Sequence, residues 1–141
     1  MKKSIISFLF LFVLSAFSAN EVFASNPIPG ISIVVRRNQG GIVVNSKTDK
    51  NGTFSTKLVE GNYVLTMKYE DILKIINSLE KGKVHKGYKI TLEPDTTGPT
   101  INGNPPGKLI ITKNTGDIIV KVTKGGAKLS FTVTYDSLGQ R

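Results

Sequence analysis

The segment from Ala127 to Tyr135 sets the tightest constraint on how this chain can fold. Ala127, Leu129, Phe131, Val133 and Tyr135 alternate strictly with Lys128, Ser130, Thr132 and Thr134. Successive side chains of an extended strand point to opposite faces, so this spacing gives one apolar face and one polar face. A helix would scatter the same residues around its circumference. The period of two recurs upstream. Ile31, Ile33 and Val35 share a face of a strand that ends at Arg36-Arg37, and Phe54, Thr56 and Leu58 alternate in the same way. Tyr63, Leu65, Met67 and Tyr69 oppose Val64, Thr66 and Lys68. Ile42-Val43-Val44 reads as a run apolar on both faces. Tyr88, Ile90 and Leu92 resume the rhythm, and residues 109–112 and 117–124 supply two more strands.

Turn chemistry separates these runs. Asn38-Gln39-Gly40-Gly41, Asp49-Lys50-Asn51-Gly52 and Glu60-Gly61-Asn62 hold residues that tolerate positive φ. Lys124-Gly125-Gly126 reads as a tight hairpin between the last two strands. Residues 70–80 break the alternation: Ile72, Ile75, Ile76 and Leu79 have helical spacing, with Gly82 just beyond. They predict a short helix packing its apolar stripe on the edge or end of a sheet. Residues 94–107 contain Gly98-Pro99 and Asn104-Pro105-Pro106-Gly107, so no ladder is expected there. A loop of that length is either a recognition loop or a flexible crossover. The expectation is an all-β fold, an antiparallel β-sandwich of seven to eight strands with one short helix at about 70–80. A half-open barrel is the architectural rival.

Ahead of the strands, Lys2 and Lys3 precede an apolar stretch from Ile5 to Phe17, interrupted by Ser7 and Ser15. A basic start, a short apolar run and small residues before a cut form the signal-peptide pattern. Residues 1–24 are expected to be that signal, cut after Ala24, with a cut after Ser18 as the weaker option. The run is short of the roughly 20 residues a membrane span needs; an uncleaved anchor is the alternative. The chain has no cysteine, which excludes disulfides and a lipid-anchored lipoprotein alike. The expectation is therefore an exported protein, periplasmic or extracellular, with residues 25–141 forming a single β-sandwich domain and no transmembrane segment in the mature chain.

Three stretches carry a family resemblance. Ile28-Pro29-Gly30-Ile31-Ser32-Ile33-Val34-Val35 is followed by Thr48-Asp49-Lys50-Asn51-Gly52-Thr53-Phe54 and then Leu58-Val59-Glu60-Gly61-Asn62-Tyr63-Val64-Leu65. This order is similar to the carboxypeptidase regulatory-like family of transthyretin-like β-sandwiches. Its theme is a Pro-Gly leading into a strand, a Thr-Asp-x-x-Gly turn before an aromatic, and a Gly-x-Tyr opening another strand. The likeness covers residues 28–69, and residues 70–80 and 94–107 depart from the compact family pattern. It implies a sandwich whose role is binding, adhesion or scaffolding. Hydroxyisourate hydrolases share that fold but use a His and Arg set with a C-terminal Tyr-Arg-Gly-Ser. This chain has one histidine and ends Ser137-Leu138-Gly139-Gln140-Arg141. A self-formed isopeptide cross-link would need a lysine in the first strand, where Arg36 and Arg37 stand, and Asp136 near the end lacks an evident lysine partner.

Catalytic chemistry finds little support in the residues. His85, the single histidine, lies in Lys83-Val84-His85-Lys86 and reads as an exposed residue at the start of a strand. One histidine without cysteine makes a poor transition-metal site. Asp49-x-Asn51-Gly52 with Glu60 has the outer spacing of a calcium loop, but the strand between them would carry the carboxylate away, and a plain turn is expected. No Gly-x-Ser-x-Gly elbow and no phosphate-cradling glycine loop occurs.

Charge is the more informative property. Residues 25–141 carry 17 Lys and Arg against 9 Asp and Glu. Lys81, Lys83, Lys86 and Lys89 cluster after the predicted helix, and Lys113, Lys121, Lys124 and Lys128 lie on or near the last three strands, which are expected to be neighbours. Such a lysine-rich face can attract an anionic envelope polymer or a protein partner. It can equally serve solvation and protect exposed strand edges. The aromatics fall on inward faces and not among the lysines, which argues against specific nucleic-acid recognition. The functional expectation is a non-enzymatic binding or adhesion module without cofactor or metal, acting through the lysines and loop 94–107. The alternatives are a structural subunit of a surface assembly, pairing through an edge strand, and a small envelope hydrolase.

Overall fold

The structure, a computed structural model, describes residues 25–83 and 85–138. The expected signal peptide, residues 1–24, lies outside the described residues. Among those described, the chain forms ten strands and one helix: β1 (Asn26–Pro27), β2 (Ser32–Arg37), β3 (Ile42–Lys47), β4 (Thr53–Leu58), β5 (Gly61–Thr66), α1 (Tyr69–Leu79), β6 (Tyr88–Pro94), β7 (Thr100–Ile101), β8 (Leu109–Ile111), β9 (Ile118–Val122) and β10 (Ala127–Ser137). They build two antiparallel sheets. The all-β sandwich with one short helix is therefore what the alternation indicated. The two strands beyond the expected number, β1 and β7, are two residues long and leave no periodic signature.

The first sheet is organised by β10. Its first half pairs with β4, from Ala127 against Leu58 to Thr132 against Thr53. Its second half pairs on the opposite edge with β6, from Phe131 against Pro94 to Ser137 against Tyr88. β1 continues the β4 edge, and β8 extends the sheet beyond β6. The second sheet runs β3-β2-β5-β9-β7.

Apart from the β2–β3 hairpin, chain neighbours alternate between the two sheets. Lys124-Gly125-Gly126 is accordingly not a hairpin: it carries the chain from β9 in one sheet to β10 in the other. Gly125 and Gly126 hold φ values of 97° and 79°, and a Cβ on Gly126 would stand 2.9 Å from the Leu58 carbonyl oxygen. Val59 and Glu60 make the corresponding crossing from β4 to β5.

The apolar faces of both sheets meet in the core. Leu129, Phe131, Val133 and Tyr135 of β10 are all buried, as the alternation requires. The Phe54 and Phe131 rings, paired across β4 and β10, lie 5.1 Å apart. Ile33, Val35, Tyr63, Leu65, Val120 and Val122 face them from the second sheet. Each fully buried side chain of this size contributes about 1.5–3 kcal/mol. α1 joins the end of β5 to the start of β6, and it closes that end of the sandwich by burying Ile72 and Ile76 completely. Glu70 and Asp71 in its first turn suit the positive end of the helix dipole.

Three local expectations change. Ile42-Val43-Val44 is not a doubly buried run: β3 is an edge strand, with Ile42 62% and Val43 43% exposed. A register shift between Val35 and Arg36 bulges β3 against β2; Ile42 and Val43 lie outside the layered core, while Val44 packs half-buried against it. The stretch 94–107 does contribute a ladder, because Thr100 and Ile101 pair with Lys121 and Val120 of β9. The prolines flank that pairing and do not enter it. The last three strands are not mutual neighbours, since β9 belongs to the second sheet and β6 separates β8 from β10.

Candidate functional site

The eight candidate lysines do not share one face. Lys81, Lys83 and Lys86 are exposed in the connection between α1 and β6. Lys89 follows on the outer face of β6, in register with Asp136 of β10. That register supplies the lysine neighbour for Asp136 that the sequence did not reveal, although the Asp136 carboxylate takes its hydrogen bond from the Ser25 hydroxyl at 3.0 Å. Lys113 lies in the loop after β8. Lys121 is on the outer face of the second sheet, opposite Asn62 and Thr100. Lys124 and Lys128 lie at the end of the sandwich remote from α1.

That remote end gathers the most coherent set. The crossings from β4 to β5 and from β9 to β10 run side by side there, and between them lies an open groove of about 480 Å³. Its walls are Lys57 to Glu60 on one side and Gly125 to Lys128 on the other. The floor is apolar or bare backbone: Leu58, Ala127, the two glycines and Val59, which is 64% exposed. Lys57 and Lys128 stand directly opposite each other in the β4–β10 register, an arrangement that costs stability because like charges face across the ladder. Lys124 precedes Gly125 in the chain but is not among the residues lining the groove.

The ion pairs among the described residues are Arg36–Asp117, His85–Glu80 and Lys108–Glu93. None of the groove lysines is paired. The acid lining the groove is Glu60. Asp95 lies close enough for Lys128 to help hold its carboxyl below the usual range, although the backbone N–H and hydroxyl of Thr97 are the larger causes.

The groove's walls are fixed by the residues around it. The Tyr63 hydroxyl donates to the Val59 carbonyl at 2.8 Å, pinning the crossing that carries Val59 and Glu60. Arg37 stands over the Tyr63 ring, 5.4 Å from its centroid. Lys57 is the member of this site that sequence reasoning missed. Its partner across the ladder is 71 positions away, and no local pattern announces that β4 pairs with β10.

The opposite end holds a different cluster, and it corrects the expectation for His85. The imidazole is not exposed: its side chain is 7% accessible, and Nε2 lies 2.9 Å from a carboxylate oxygen of Glu80. The Tyr135 hydroxyl donates to the other oxygen at 3.0 Å. The Tyr88 ring packs edge-on against both His85 and Tyr135. Burial and the neighbouring Glu80 push the Tyr135 hydroxyl up to about 12. Glu80 is the C-terminal cap residue of α1, so this cluster ties the helix end to β10 and to the start of β6. The His85 Nδ1 atom is buried without a hydrogen-bond partner among the described residues.

Asp49 turns one carboxylate oxygen onto its own turn, accepting from the Asn51 N–H at 2.8 Å and the Thr53 N–H at 2.9 Å. Glu60 lies at the far end of β4 from it. Among the described residues, no group of three or more His, Cys, Asp or Glu side chains is placed to hold a metal ion. No helix among them is long and apolar enough to cross a membrane. In comparisons with protein-family models, with curated proteins and with solved structures, nothing matches this chain.

Proposed function

We propose that this chain is an exported, non-enzymatic binding module of the bacterial envelope, built on a transthyretin-like sandwich, and that it holds an anionic polymer in the groove between the two crossings. The observation that carries the reading is the facing pair Lys57 and Lys128, in no ion pair among the described residues, beside an apolar, glycine-backed floor, with Lys124 next to the lining in the chain. Lys57 and Lys128 repel each other when the groove is empty. A phosphate, sulfate or carboxylate between them would turn that cost into two charge-assisted contacts. The surplus of positive charge over the whole chain favours the approach of any polyanion.

The non-enzymatic part of the reading rests on how His85 is used. One ring nitrogen is committed to Glu80 and the other is enclosed, so neither is presented to a substrate. The family likeness in residues 28–69 supports a binding role of the same kind. Its glycines and aromatics occupy structural positions here: Gly52 in a turn, Gly61 at the first residue of β5, Phe54 and Tyr63 in the core.

The test is a titration of the purified, isotope-labelled protein with long-chain polyphosphate and, separately, dextran sulfate, followed by amide chemical shifts. The expected outcome is saturable movement of Lys57, Val59, Gly125, Gly126 and Lys128. Movement confined to residues 81–89 would place the anion at the other end and overturn the groove assignment.

A further inference from the structure

The end of the sandwich that α1 closes carries a surface the groove does not use. Two exposed leucines stand there: Leu79, the last residue of α1, 48% exposed, and Leu138, just past β10, 55% exposed. The Leu138 N–H donates to the Gly87 carbonyl at 2.9 Å, and a Cβ on Gly87 would stand 3.6 Å from Leu138 Cδ1. Leu138 is thereby seated on the connection between α1 and β6. The same connection holds Lys81, Lys83 and Lys86, all exposed. None of the three enters an ion pair among the described residues. β8 runs from Leu109 opposite Leu92 to Ile111 opposite Ile90, so the loop that follows it, with exposed Lys113, emerges at this end too.

The acids of this end are engaged elsewhere. Glu80 sets one carboxylate oxygen against His85 Nε2 and accepts the Tyr135 hydroxyl with the other. Asp136 accepts the Ser25 hydroxyl and stands in register with Lys89. Asp117 is held by Arg36. Glu70 and Asp71 belong to the first turn of α1, about 12–14 Å from Leu79 along the helix axis. What remains is unpaired positive charge beside exposed leucines. A soluble anion answers the charge and leaves the leucines in water. An anionic bilayer answers both, because lysine heads stay at the level of the headgroups while apolar side chains enter the acyl boundary.

The point where the chain enters the sandwich favours the same occupant. β1 and β6 flank the second half of β10, so Ser25 joins the fold roughly 10 Å from β6. The apolar run from Ile5 to Phe17 ends eight positions before Ser25, a reach of at most about 30 Å. With that run in a membrane, this end of the sandwich stays close to the lipid. That step rests on the reading of the chain as exported; the leucines and lysines do not.

We infer that the α1 end docks on the surface of an anionic lipid bilayer, with Leu79 and Leu138 in the interface and Lys81, Lys83 and Lys86 among the headgroups. The groove, at the remote end, then faces away from the membrane.

The experiment uses residues 25–141, which contain every element of both sheets, and vesicles of phosphatidylcholine alone or mixed equally with phosphatidylglycerol. Sedimentation is expected to show binding to the mixed vesicles and none to phosphatidylcholine. Lys81→Gln, Lys83→Gln and Lys86→Gln together are expected to weaken binding by about a hundredfold, and Leu79→Ser with Leu138→Ser by about tenfold or more. Lys57→Gln with Lys128→Gln is expected to leave it unchanged, which separates this surface from the groove. The chain has no tryptophan, so Leu79→Trp and Val59→Trp, made singly, report contact with lipid at either end. Brominated lipid is expected to quench the indole at position 79 and not the one at 59. Equal binding to both vesicles, no loss on replacing the leucines, or equal quenching at the two ends would overturn the inference. So would a dimer of the free protein that Leu79→Ser with Leu138→Ser dissolves, since it would assign the leucines to a second copy. Failure of the export reading would show differently, as protein recovered from the cytoplasmic fraction of cells with vesicle binding intact.

Discussion

Gly52 and Gly30 both hold a positive φ, 74° and 77°, but only one of them is hemmed in. A Cβ on Gly52 would stand 2.6 Å from the Val133 carbonyl oxygen, which already accepts the Ile28 N–H. Around Gly30 there is nothing within 4 Å. Gly30→Ala is expected to cost about 1–2 kcal/mol from backbone conformation alone. Gly52→Ala is expected to cost about 3 kcal/mol or more, because relieving the contact means opening the junction of β1, β4 and β10. Urea unfolding of the two variants separates conformation from close approach; equal losses would refute the contact. Thr48 acts at the same junction. Its buried hydroxyl accepts from the Ile31 N–H and donates to the Ile28 carbonyl. Thr48→Val leaves both groups buried and unpaired, an expected loss of about 2–4 kcal/mol, whereas Thr48→Ser should retain most of the stability. The Asp49–Gly52 turn was legible from its residues. The second role of Thr48 was not, because its partners lie 17 and 20 positions upstream.

At the scale of elements, β10 was the easiest to read, since a strand buried on one face along its whole length writes its period directly into the sequence. α1 was legible for the same reason, through Ile72 and Ile76. What local pattern cannot say is which sheet a strand joins. Lys124-Gly125-Gly126 has the composition of a hairpin, yet its glycines serve a crossing in which backbone passes close to Leu58. The Glu80–His85–Tyr135 cluster shows the same limit: Glu80 and His85 are five positions apart around Gly82, but Tyr135 comes from the other end of the chain. This tie has a pH signature. Tyr135 holds its proton more tightly folded than unfolded, its ordinary value of 10.0 being raised to about 12. Its contribution is therefore fully present below pH 10 and is lost as pH rises from about 10 toward 12. Wild type is expected to lose more stability than Tyr135→Phe across that interval in thermal melts. Parallel alkaline losses in the two proteins would count against the cluster.

For the molecule as a whole, the sequence made the charge excess plain but not its distribution. Eight lysines chosen by proximity in the chain separate, on folding, into a group after α1, Lys89 and Lys121 on different sheets, Lys113 in the loop after β8, and a pair at the remote end. Lys57 joins that pair only because β4 lies against the first half of β10. The central claim is that the groove, and not overall charge, binds the polyanion. It is tested most directly by measuring polyphosphate affinity across a salt series for wild type and two variants of the purified protein. One variant carries Lys57→Gln, Lys124→Gln and Lys128→Gln; the other carries Lys81→Gln, Lys83→Gln, Lys86→Gln and Lys89→Gln. If the groove is the site, the triple variant loses most of its affinity and its log–log salt slope falls by roughly 2–3, while the quadruple variant, despite losing more charge, changes little. Equal losses in proportion to charge removed, or a larger loss in the quadruple variant, would contradict the account.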